Sequence, residues 1–216
     1  LGYDGIELRG LGEDIYLPDA AMFKDGNAEK AKRSLDEMGL SIPCVSTDCL
    51  LSEDGCGAAA EAYIDLAAAL GCPNVRLLGD KNPAPSDFVD DKKVAENLKV
   101  LIPKAQRAGV TLLVETNGVY SDTARLRKVI EAVKSPYVGV LWDVNHPVRF
   151  AGESPEKTWE NIGRYVRHIH MKDSVKNGET VYKMLGYGDL PLTEIFAVLK
   201  KNGYQGFIEE MHRGQN

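Results

Sequence analysis

Short apolar runs rich in β-branched residues alternate along this chain with longer segments of helical period. That alternation constrains the fold more than any other feature. Parallel strands can be joined only by a segment that returns along the sheet, so the pattern predicts parallel strands linked by crossover helices. The runs place strands near Gly5–Leu8, Ile42–Ser46, Asn74–Leu78, Thr111–Glu115, Val138–Asp143, Val166–His170 and Gly206–Glu209. The helices between them carry end signals. Asn27 can cap one that stops at Gly39, alanine-rich Ala58–Leu70 stops at Gly71, and Ser86 can open a long one ending at Gly109. Ser154 and Pro155 make an N-cap and first-turn pair, and Leu192–Asn202 ends at Gly203.

Several of these runs end in side chains that can bind a metal or move a proton. Glu115, Asp143 and His170 each close a strand, and Glu209 and Glu210 close the last one. An α/β barrel assembles its site from the carboxyl ends of many strands, whereas an open doubly wound sheet uses a switch point between a few. Four consecutive contributing strands favour the TIM (β/α)8 barrel, as a single domain over residues 1–216. A closed barrel has eight strands. The expectation is therefore that a first strand and its helix precede Leu1, where the chain opens without a methionine, and that a last helix follows Asn216.

The net charge of −6 disfavours a phosphate-tracking nucleic-acid surface, and no apolar run is long enough to span a bilayer. Cys44, Cys49, Cys56 and Cys72 show no C-x-x-C spacing and read as reduced, mostly buried thiols of a cytoplasmic protein. The expected partner is a small molecule, not nucleic acid or membrane, and a homo-oligomer is left open.

Three of the four histidines fall in two patterns, Asp143-Val144-Asn145-His146 and His168-Ile169-His170. The first lets Asp143 hold a metal while His146 bonds a neighbouring group or a substrate hydroxyl. In the second, two-residue alternation puts both imidazoles on one face, with His170 nearer the carboxyl end as the ligand and His168 deeper as its support. Glu115 follows three apolar residues and needs either an ion pair or a metal to be buried. Lys172 and Asp173 extend the same mouth, as substrate contacts or as a solvated pair. Glu7 and Arg9 alternate on the first strand and can face an anionic or hydroxyl-rich substrate, or form an exposed ion pair. Gly186-Tyr187-Gly188-Asp189 lacks the lysine and spacing of a phosphate loop and reads as a turn before the last helix.

At these residues the chain resembles the xylose isomerase-like barrel superfamily, in particular proteins described as sugar phosphate isomerases/epimerases. The patterns are L-G-Y-D-G-I-E at Leu1–Glu7, L-L-V-E-T at Leu112–Thr116, W-D-V-N-H at Trp142–His146, V-R-H-I-H-M-K-D at Val166–Asp173 and G-Y-Q-G-F at Gly203–Phe207. The resemblance implies a single divalent metal (Mn, Co, Mg or Zn) held by Glu115, Asp143, His170 and a last-strand carboxylate. It also implies that Glu115 and that last carboxylate form the acid/base pair, with His146 contacting substrate. The family's final glutamate would fall at Met211 here. A one-residue contraction selects Glu210, with Glu209 open because neighbouring strand residues face opposite sides.

The implied activity is isomerisation or epimerisation of a sugar, sugar phosphate or polyol ketone through an enediolate. The alternatives are an inosose-type dehydration at the same site and a non-catalytic metal- or sugar-binding barrel. An apurinic endonuclease of the same superfamily needs more histidines from earlier strands, and a basic groove that this chain lacks.

Overall fold

In chain order, the computed structural model, which describes residues 2–211, contains α1 (Asn27–Glu37), β1 (Val45–Leu50), α2 (Cys56–Ala69), β2 (Asn74–Leu78), α3 (Asp91–Ala108), β3 (Thr111–Glu115) and α4 (Thr123–Val133). It continues with β4 (Val138–Asp143), α5 (Pro155–Ile162), β5 (Val166–Met171), β6 (Asp173–Asn177), β7 (Glu179–Lys183), α6 (Leu192–Lys201) and β8 (Ile208–Glu210). Strands β1, β2, β3, β4, β5 and β8 form one parallel sheet in that order. This is the α/β barrel sheet that the alternation predicts.

The three central strands, β2 to β4, match their predicted bounds because they are short apolar runs with sharp ends. The flanking elements differ. The Gly5–Leu8 segment lies parallel beside β1 through isolated bridges, Gly5 to Ser41 and Leu8 to Val45, without a continuous ladder. The β1 ladder runs on through Thr47 and Asp48, four residues past the predicted end, and its register shifts between Ser46 and Leu50. Polar side chains disguise that extension. Among the described residues, no strand ladder joins the Gly5–Leu8 segment to β8. A cleft of about 700 Å³ lined by Tyr3, Gly5, Glu7, Phe207 and Glu209 separates them.

Helix α3 shows how the outer layer is held. Val94, Ala95, Leu98, Leu101 and Ala105 recur at helical spacing and are all buried. Each such leucine contributes roughly 1.5–3 kcal/mol. Its N-cap is Asp90, which accepts from the Lys92 and Lys93 amides, not the predicted Ser86, whose hydroxyl and amide donate to Asp80. Gly109 ends α3 at φ 68°, in the left-handed region that glycine enters without a Cβ clash. Ser154 caps α5 as expected, accepting from the Lys157 amide at 3.2 Å. The antiparallel β6–β7 hairpin, turning at Gly178, was not foreseen.

Most of the core lies between sheet and helices. A separate small cluster of Cys44, Leu113 and Leu141 lies apart from it. Burial raises the thiols of Cys44 and Cys72, the latter to about 12, and all four cysteines are free. Among the described residues, no helix is long and apolar enough to cross a membrane.

Gly79, just past β2, marks a close approach: a Cβ there would lie 2.0 Å from the buried Tyr120 ring. Gly79→Ala is expected to cost about 1–3 kcal/mol through overpacking. A denaturant melt checks this, and an unshifted midpoint would mean that the ring yields freely.

Candidate metal and proton-transfer site

Register assembles the site. Glu115 pairs with Leu141, Leu141 with His168, Asp143 with His170, and His170 with Glu209. Partners across a parallel ladder project from the same face. Glu115 and His168 therefore share one layer, and Asp143, His170 and Glu209 form the next, nearer the strand carboxyl ends. Glu210 pairs with Met171, whose buried side chain packs in the core between sheet and helices. The register thus puts Glu209, and not the expected Glu210, on the face of His170. Glu210 instead accepts from the Tyr3 hydroxyl at 3.4 Å.

The side chains at this mouth compensate one another's charge. Glu115 is buried, with Oε2 3.2 Å from Arg76 Nε. Arg76 is itself fixed, donating to the Thr47 carbonyl at 2.6 Å and to Ser46 Oγ at 3.0 Å. Burial alone would raise the Glu115 carboxyl, but Arg76, His170 and Lys172 together hold it well below the usual carboxylate range. Lys172 is buried and bonded to Asp143 Oδ2, while Asp143 Oδ1 accepts the Asn145 amide at 3.0 Å. Burial opposes a charge on Lys172, yet Asp143 and Glu115 raise it above its ordinary value. Burial likewise opposes a charge on His170, but Glu7 and Glu115 push it up to about 9. Glu209, half-buried, is raised by burial and by the nearby Glu7 carboxylate.

His146 behaves differently. Its Nδ1 donates to the Thr116 carbonyl at 3.1 Å, which leaves the Nε2 lone pair 3.6 Å from Asp143 Oδ2. Burial lowers its pKa and keeps the ring neutral.

The sequence candidates divide accordingly. Glu115, Asp143, His146, His170 and Lys172 come together, whereas Arg9 is half-exposed and pairs with Asp48 at 2.7 Å. Glu7 points inward beneath them and bonds both His168 and His170. Asp173 accepts the amides of Ser174, Gly186, Gly188 and Leu190, which folds the glycine-containing turn, and Arg149 pairs with Asp189 beside it. His212 lies outside the described residues. Sequence reasoning missed Arg76 and Ser46. The available signal was a cation in the middle of the apolar run Val75-Arg76-Leu77, where only a buried anion makes it affordable.

The donor set fits a divalent cation. Glu115, Asp143 and His146 offer ligand atoms that all lie within 4.8 Å of one another. His170 Nδ1 lies 3.7 Å from Glu115 Oε1. His146 Nε2 is buried with a lone pair and no hydrogen-bond partner, and His170 Nδ1 is likewise without a partner and presents a lone pair once an ion takes the place of its proton.

Comparison with known proteins identifies the fold and the family. A stretch of 137 residues is 28% identical to an inosose dehydratase of Bacillus thuringiensis (strain Al Hakam), covering 54% of this chain and 45% of that protein. A stretch of 120 residues is 28% identical to a fructoselysine 3-epimerase of Escherichia coli O157:H7, covering 53% of this chain and 43% of that protein. These matches span less than half the length of either relative. The fold superposes on a zinc-bound crystal structure of the IOLI protein with a TM-score of 0.76 at 16% identity, covering 96% of this chain and 78% of the other. The family model described as xylose isomerase-like TIM barrel matches residues 1–213, and the chain belongs to that family.

Proposed function

We propose that the chain holds one divalent metal ion with Glu115, Asp143, His170 and Glu209, and isomerises or epimerises a sugar, sugar phosphate or polyol ketone. The observation that carries this reading is the buried meeting of Glu115, Asp143, His146 and His170 with two unpartnered imidazole nitrogens. The choice of Glu209 rests on its register with His170. Mn, Co, Mg and Zn all suit carboxylate and imidazole ligands, and the zinc in the IOLI structure supports an ion of this kind.

When bound, such an ion polarises the substrate carbonyl and stabilises the negative charge that gathers on its oxygen. The protein supplies the proton chemistry. Glu115, kept ionised by Arg76, takes the proton from the carbon beside the carbonyl. Glu209, three strands away, returns a proton to the other face of that carbon for epimerisation, or to the neighbouring carbon for isomerisation. His146 Nε2 accepts a hydrogen bond from a substrate hydroxyl, and the Lys172 ammonium contacts a further oxygen.

The inosose dehydratase relative favours a second reading at the same residues. There the enediolate expels a β-hydroxyl, which takes the proton from Glu209 and leaves as water.

The test is metal titration followed by incubation with ketoses and inososes in deuterated water. One ion per chain is expected, lost in Asp143→Ala and His170→Ala, together with deuterium at the carbon beside the carbonyl. A product lighter by one water selects dehydration. A folded protein that binds no metal and exchanges no proton would leave the non-catalytic barrel as the answer.

A further inference from the structure

We infer that Glu7 is a positioning residue that fixes the tautomer and ring orientation of His170, so that Nδ1 presents its lone pair to the metal site; this rests on the proposed metal site above. The Glu7 side chain is 6% exposed. Its oxygens lie 3.1 and 3.0 Å from His170 Nε2, and Oε2 is also 2.7 Å from His168 Nε2. Oε1 in addition accepts from Ser46 Oγ.

An ionised carboxylate is an acceptor only, so each imidazole nitrogen that faces it carries a proton. In neutral His170 the lone pair is then confined to Nδ1. That is the atom 3.7 Å from Glu115 Oε1 and without a hydrogen-bond partner. The contacts to His168, His170 and Ser46 occupy both Glu7 oxygens. The residue is thus committed to the protein, and the substrate contact expected from sequence has no oxygen to use.

The carboxylate is locked in turn. Ser46 Oγ, which donates to Glu7, accepts from Arg76 Nε at 3.0 Å, and the same Nε lies 3.2 Å from Glu115 Oε2. A chain of polar contacts results, from Glu7 through Ser46 and Arg76 to Glu115. A carboxylate on the far nitrogen of a ligating histidine holds the ring and raises its basicity, and its loss typically weakens metal binding about 10–100-fold.

The experiment measures zinc affinity by competition with a chromophoric chelator at fixed pH, for the wild type, Glu7→Gln, Ser46→Ala and His170→Ala. Nitrogen-15 shifts of the His170 ring are recorded in the zinc-free proteins at a pH where the ring is neutral. Glu7→Gln is expected to bind zinc about 10–100-fold more weakly, with the His170 shifts moved away from a single Nε2–H tautomer. Ser46→Ala, which loosens Glu7 without touching either histidine, is expected to weaken binding several-fold. Wild-type affinity and shifts in a folded Glu7→Gln overturn the positioning role. If Glu7→Gln does not fold, unchanged affinity in Ser46→Ala overturns it. Loss of zinc in His170→Ala with none in Glu7→Gln defeats this inference alone, whereas wild-type affinity in His170→Ala defeats the metal site itself.

Discussion

Arg76→Met is expected to destabilise the fold by about 3–5 kcal/mol, the cost of stranding a buried charge. Both partners of the Arg76–Glu115 pair are only 5% exposed, so solvent does little to screen either. Around the site the anions Glu7, Glu115 and Asp143 face the cations Arg76, Lys172 and a charged His170. Removing Arg76 breaks that balance and leaves its hydrogen-bond partners, Ser46 Oγ and the Thr47 carbonyl, without a donor. Methionine fills similar length but supplies no N–H. The measurement is urea denaturation of the single variant beside Arg76→Met/Glu115→Leu. Replacing both members of a buried pair with apolar residues is often close to neutral, so the double variant should recover most of the loss. A single variant within about 0.5 kcal/mol of wild type would show that Arg76 does not compensate Glu115. A double variant as unstable as the single would show that packing, not charge, sets the cost.

The same pair shows how far the sequence could be read. Period and end signals locate β2, β3 and β4 because apolar runs with sharp ends need no knowledge of neighbours. Glu115, Asp143 and His170 stand out because a ligand-type side chain closing an apolar run is costly without a partner. What the sequence hides is pairing. Arg76 interrupts an otherwise apolar strand, and only β3 explains it. Glu7 meets His168 across a separation of 161 residues, which no local pattern encodes. The choice between Glu209 and Glu210 turns on a one-residue register with β5, and two adjacent glutamates carry no signal that distinguishes inward from outward. The β6–β7 hairpin offers no comparable signal because its strands are short and mostly polar. Neither strand carries the apolar stripe that announces a core strand.

Glu115→Gln is expected to lower turnover by about 10²–10⁴-fold, the usual contribution of a positioned general base. Glutamine keeps the shape and one oxygen for the metal but cannot accept the proton. It also leaves the Arg76 guanidinium without its anion, so part of any activity loss reflects unfolding unless rates are referred to the folded fraction. Pairing the substitution with Arg76→Met separates the two effects, since the double variant regains stability and stays inactive. Deuterium exchange gives the finer test. If Glu115 and Glu209 serve opposite faces of the same carbon, each epimer loses its proton to only one of them. Glu115→Gln should then abolish exchange starting from one epimer, while the other still exchanges through Glu209 without converting. Exchange lost from both epimers would mean that one base serves both faces. Undiminished turnover would remove Glu115 from the chemistry and leave it as an ion-pair partner of Arg76.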